Sequence, residues 1–177
     1  MERKRRKKFI GEIVWSATKQ GSFQRAHIYR PKANIGANEK RKLRDQIKSF
    51  CFKNLYESYE GSSITENELI SQIEDLMEII TENFTDILKN GEFQFGNAQK
   101  FVNLYLKFLW AIGEIKEPPH FPVDRIIQKG FKPIRPWTNM NKEDYLKVIE
   151  EARRQIGDKK SLAEWEIIEY EKMINRK

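Results

Sequence analysis

The 177 residues carry 33 Lys and Arg against 26 Asp and Glu, a net charge of +7, with 39% hydrophobic and 12% aromatic side chains. A chain of this length buries a core without covalent staples. The lone Cys51 excludes an internal disulfide and a multi-cysteine metal cluster, which favours a reducing compartment. No run approaches the roughly 18 apolar residues that cross a bilayer, and no apolar signal core follows the basic first residues, so the expected location is cytoplasmic without integral membrane association.

The charge is asymmetric. Residues 1–53 hold 16 Lys and Arg against 4 acids, whereas the other 124 hold 17 against 22. Arg3, Lys4, Arg5, Arg6, Lys7 and Lys8 read as a flexible basic arm over 1–8, ahead of a single, mostly helical domain over 9–177. The short aromatic runs FIGEIVW and AHIYRP, bounded by Gly21 and Pro31, suit a small β-hairpin joined across KQGS, with a helical Ile10–Trp15 segment as the alternative.

From Asn38 the apolar spacing turns helical through Leu43, Ile47, Phe50, Cys51, Phe52, Leu55 and Tyr59, with Cys51 as a buried thiol. Thr65 with Glu68 forms a capping-box signal for a second helix, which carries seven acids between Glu66 and Asp86. A third helix is expected over Asn97–Ile112, closed by Gly113 in a left-handed cap. Five of the six prolines then fall between Pro118 and Pro136, which leaves room for at most a short helix over Val123–Lys129. Asn141 with Asp144 and Ser161 with Glu164 mark the starts of two final helices. The fold class is mainly α: a compact multi-helix domain with, at most, that small N-terminal hairpin.

Cations spaced along a helix suit a phosphate backbone. Lys40, Arg41, Arg44 and Lys48, with the arm and with Arg25 and Arg30 beside Phe23 and Tyr29, form the expected nucleic-acid surface, DNA or RNA. A basic amphipathic membrane-surface segment and a non-enzymatic adaptor, pairing the basic end with an acidic protein partner, are the alternatives.

One segment carries chemistry. AQKFVNLYLKFLWAIG followed by PPHFPVDRIIQ, about residues 96–130, resembles the helix-hairpin-helix DNA glycosylases of the 8-oxoguanine-excising kind. The resemblance implies a base-excision activity in which Lys100 attacks the sugar C1′ and Asp124, opening the next helix, assists cleavage of the glycosidic bond. Gly96 is the one glycine where that family has a glycine-rich hairpin, and EIKEPP is inserted between the two matched helices. Independently of the resemblance, partial burial of an amine beside Phe101 and Leu104 would make it a better nucleophile, and Asp124 also reads as a plain helix cap. Lys107 is a substitute amine, and His120 with Asp124 is a candidate for proton transfer without a covalent step. Trp110, Trp137 and Phe121 border the same loop. The acids Glu68, Glu74, Asp75 and Glu78 need no ion, and neither a cofactor nor a metal site is specified.

Overall fold

Helix dominates the computed structural model, which describes residues 2–31, 34–131, 135–157 and 160–174. Among them are seven α-helices: α1 (Glu2–Phe23), α2 (Ala37–Phe50), α3 (Glu66–Phe84), α4 (Phe95–Ala111), α5 (Arg125–Gln128), α6 (Lys142–Ile156) and α7 (Leu162–Ile174). Single 3₁₀ turns sit at Lys89–Gly91 and Trp137–Asn139. The chain is thus a compact, mainly α-helical domain, as its periodicity indicated.

The N-terminal hairpin is corrected, and residues 2–8 of the basic run lie in the helix that replaces it. Residues 2–23 form one helix, and its buried stripe of Gly11, Val14, Trp15, Thr18 and Ser22 has helical spacing that the turn-like glycines obscured. Gly11 is no turn: a Cβ there would lie 2.6 Å from the Phe52 ring, so the missing side chain is what lets α1 seat against that ring. Within AHIYRP only Tyr29 makes a strand-like bridge, and its partner is the chain after α3. Arg30 N–H donates to Ile87 O at 2.9 Å and Lys89 N–H to Ile28 O at 2.8 Å, which makes a single bridge between Tyr29 and Leu88.

Beyond Phe50, α2 continues as a π-helical stretch over Cys51–Glu57. In an unbroken α-helix Tyr56 would point away from the stripe of Leu43, Ile47 and Phe50. The wider turn brings Cys51, Leu55 and Tyr56 back to the buried side. Burial pushes the Cys51 thiol far above its ordinary range, so it is an inert core group.

The helix starts match their sequence signals. Thr65 and Glu68 exchange both capping-box bonds, Asn141 accepts from Asp144 N–H at 2.9 Å, and Ser161 accepts from Glu164 N–H at 3.1 Å. At the end of α4, Gly113 has φ +77°, with its N–H on Trp110 O and that of Glu114 on Leu109 O. This is the paired closure that satisfies two terminal carbonyls.

α4 is the axis of the fold, packed by α1, α3, the π stretch, the 137–139 turn and α6. Every residue from Phe95 to Asn103 is buried. Polar groups on an enclosed helix face are costly without partners, and Gln99 and Lys100 find theirs in the segment around Val123 and Asp124.

Candidate functional site

Lys100 is 7% exposed on the buried half of α4. Its Nζ lies 3.7 Å from Asp124 Oδ2 and 4.3 Å from the centre of the Trp137 ring, so the ammonium is held between a carboxylate and an indole face. Burial lowers the Lys100 pKa below the usual lysine range, and the Arg25 guanidinium adds to that, while Asp124 opposes it. Asp124 divides its two oxygens. Oδ1 accepts from Ile126 N–H at 2.8 Å and Ile127 N–H at 3.1 Å, capping α5, and Oδ2 faces Lys100. The cap and the lysine partner are therefore one residue performing both roles.

Three hydrogen bonds hold the 135–140 segment that carries Trp137. Gly96 N–H donates to Met140 O at 3.0 Å, and Gln128 spans the bend by donating to Arg135 O at 2.7 Å and accepting Trp137 N–H at 3.1 Å. The indole's other surroundings form a cleft of about 570 Å³ lined by Arg25, His27, Arg125, Gln128, Lys129, Phe131, Pro136, Trp137 and Thr138. Arg25 and His27 both have positive φ, 58° and 49°, a conformation costing on the order of 1 kcal/mol per non-glycine residue. The strained turn after α1 brings four basic side chains of two distant segments to one opening.

A second groove of about 680 Å³ adjoins this turn along α1 and α2, lined by Lys19, Gln24, Tyr29, Lys40 and Arg44 among others. Gln24 lines one opening and its neighbour Arg25 the other, so the turn after α1 borders both. Lys40 lies 5.5 Å above the Tyr29 ring. No acid pairs with Lys19, Arg25, Arg30, Lys40, Arg44, Arg125 or Lys129 among the described residues.

The first basic run is different. Arg3 and Lys7 pair with Glu60 at 3.5 and 2.7 Å, Arg6 with Glu114 at 3.0 Å, and Lys48 with Glu12 at 2.6 Å. Arg41 is tied to Asn38 at 2.8 Å. Lys4, Arg5 and Lys8 remain exposed on α1. Arg3, Arg6 and Lys7 thus have acidic partners within the fold, whereas Lys19, Arg25, Arg30, Lys40, Arg44, Arg125 and Lys129 have none among the described residues.

His120 is not joined to Asp124, which corrects that pairing. It is 1% exposed; Nδ1 is 2.9 Å from the Tyr145 hydroxyl, and Nε2 faces Glu66 at 3.3 Å and Arg153 at 3.4 Å. Burial holds its pKa down at about 4, with Arg153 reinforcing and Glu66 opposing that shift. An unfolded imidazole titrates near ~6.5, so between those values the unfolded chain binds the extra proton. Stability from the neutral ring is complete above the unfolded value and is lost as pH falls toward the folded one. Urea unfolding should therefore lose about 2–3 kcal/mol between pH 7 and pH 4.5 that His120→Gln does not lose. Equal pH slopes for the two proteins would remove His120 from this role.

Lys107 is held by Glu166 and stacks 5.0 Å over Tyr170, so it is committed elsewhere. Phe121 is 1% exposed and packs on Trp165, an anchor and not a wedge, and Trp110 packs against the core. Glu74 is bridged to Lys142 at 2.8 Å. Two contributors had escaped notice in the sequence, Gln99 and Gln128. The only signal for Gln99 was an amide next to Lys100 at the start of a helix rich in apolar residues. Comparison with family models, curated proteins and solved structures gives no match.

Proposed function

We propose that the chain binds DNA along the unpaired cations and excises a base from it, with Lys100 as the amine nucleophile and Asp124 as its carboxylate partner. One observation carries this: Lys100, the only buried lysine among the described residues, lies 3.7 Å from Asp124 and against the ring of Trp137, and that indole also lines the cation-rich cleft. An amine with a depressed pKa has a larger neutral fraction near neutral pH, and the neutral form is the nucleophile. The target nucleotide would leave its stack to reach the cleft, a cost that damage or mispairing reduces.

In the step proposed, the Nζ–C1′ bond forms as the C1′–base bond breaks, and the base leaves with that electron pair and takes up a proton. The attacking nitrogen gives one proton to Asp124. Transfer of a proton to the ring oxygen as C1′–O4′ opens yields an iminium between Lys100 and the sugar. Borohydride reduces that iminium to a stable amine, so incubation with duplexes bearing a panel of damaged bases, followed by reduction, tests the activity. A crosslinked band is expected with at least one lesion; base release that survives in both Lys100→Ala and Asp124→Ala would reject the site.

DNA binding has its own test. Each phosphate contact contributes about 0.9 to the slope of log affinity against log salt. Lys40→Ala with Arg44→Ala should weaken duplex binding about tenfold and flatten that slope by about 2. Arg3→Ala with Arg6→Ala, whose partners are Glu60 and Glu114, should change it little. Equal losses from the two pairs would return the binding surface to the N-terminal run.

A further inference from the structure

Val123 is completely buried in an irregular, proline-rich segment that has no strand beside it to take its backbone polar groups. Gln99 supplies what a neighbouring strand would. Its Oε1 accepts Val123 N–H at 3.1 Å, and its Nε2 donates to Val123 O at 2.6 Å and to Gly96 O at 3.0 Å. The next residue after Val123 is Asp124, and the next after Gln99 is Lys100.

The amide orientation is dictated along a chain of buried groups. Val123 N–H can only donate, which assigns Oε1 to it. Asn103 Nδ2 then donates to that same Oε1 at 3.2 Å and to the Tyr145 hydroxyl at 3.0 Å. Tyr145, having accepted from Asn103, gives its own hydrogen to His120 Nδ1, and the ring's Nε2–H points to Glu66. Gln99, Asn103, Tyr145 and His120 are each at most 1% exposed, so no water competes for these groups from the surface.

We propose that Gln99 is the positioning residue of the candidate site: by clamping Val123 it holds the Asp124 carboxylate in register with the Lys100 amine. This rests on the reading of Lys100 and Asp124 as a functional pair, but its test does not require DNA. Without the clamp, Asp124 still caps α5 but no longer faces Lys100, and the amine behaves as though its carboxylate had been removed.

The measurement is the pH dependence of acetylation of Lys100 in the free, full chain, read by mass spectrometry against the other lysines. Asp124→Asn removes the opposing charge, so Lys100 should label roughly tenfold faster at neutral pH. Gln99→Leu should label faster to a similar extent, and the double variant no faster than Asp124→Asn alone. Asn103→Leu serves as the control, because it breaks the chain beyond Gln99 while leaving both bonds to Val123, and it should leave Lys100 labelling unchanged. An unchanged profile in folded Gln99→Leu overturns the proposal. So does an equal change in Asn103→Leu, which would indicate general loosening. Gln99→Met replaces the leucine variant if that one does not fold, and unfolding of both assigns Gln99 a structural role only and overturns positioning. Failure to trap DNA with the native chain would sink the base-excision reading and leave this labelling result standing.

Discussion

Lys100→Met is expected to abolish the borohydride-dependent crosslink proposed above and to lower base release by at least about a thousandfold, while the melting temperature stays within a few degrees of the native value. The loss is large because the covalent step has no substitute. Lys107 is the next lysine on α4, and it is held by Glu166 and stacked on Tyr170. Stability is spared because methionine is unbranched, adaptable and apolar, and it fills the space under Trp137 without a charge to desolvate. Asp124 keeps its two backbone donors at the start of α5 and retains contact with solvent, so it is not stranded. Lys100→Arg keeps the charge and loses the nucleophile, so it should bind DNA normally and form no crosslink. A crosslink that persists in Lys100→Met at native yield places the nucleophile elsewhere.

Gly96→Ala produces the largest stability loss expected of any single methyl addition in this fold. A Cβ at Gly96 would lie 1.7 Å from the Trp137 carbonyl oxygen and 2.9 Å from its carbon, and both are backbone atoms that cannot rotate aside. The 137–140 segment must lift off α4, losing the bond from Gly96 N–H to Met140 O and the indole contact with Lys100. Overpacking of this severity costs on the order of 3–5 kcal/mol, or roughly 10 °C in melting temperature for a chain of this size. Crosslinking should fall along with stability, because Trp137 no longer covers the amine. By contrast, Gly61→Ala meets nothing within 4 Å, so its cost is confined to that residue's φ of +71°. A Gly96→Ala protein that melts like the native chain would show that the segment does not press on α4 as described.

Which parts of this structure were legible in the sequence follows from how local each cause is. Thr65 with Glu68, Asn141 with Asp144 and Ser161 with Glu164 act across three residues, so their spacing alone placed three helix starts. Gly113 was legible for the same reason. α1 was not, because Gly11 and Gly21 signal turns locally, and the reason for Gly11 is a ring 41 residues away on the π stretch. The pairing of Lys100 with Asp124 was anticipated only through a family resemblance. The groups that shape it, Trp137, Arg25 and Gln99, act through tertiary contacts that no spacing encodes. Charge misled in a similar way. The densest basic run, Arg3–Lys8, contains residues matched to Glu60 and Glu114, acids more than 50 positions away, whereas dispersed cations converge on the cleft.

Two features of the fold join in the proposed site. In the enclosed first turns of α4, Gln99 and Lys100 take partners from the segment that follows Pro118, namely the Val123 backbone and the Asp124 carboxylate. A regular helix pair could not do this, since its backbone groups would already be satisfied.

The most direct measurement is identification of the residue that carries the sugar after reduction. The native chain is incubated with duplexes bearing damaged bases or an abasic site, reduced with borohydride, digested with protease and nuclease, and analysed by peptide mass mapping. A single adduct is expected, on Lys100, absent from the Lys100→Met protein. An adduct on any other lysine or on the N-terminal amine, or no adduct with any lesion under conditions where the chain binds the duplex, would contradict it.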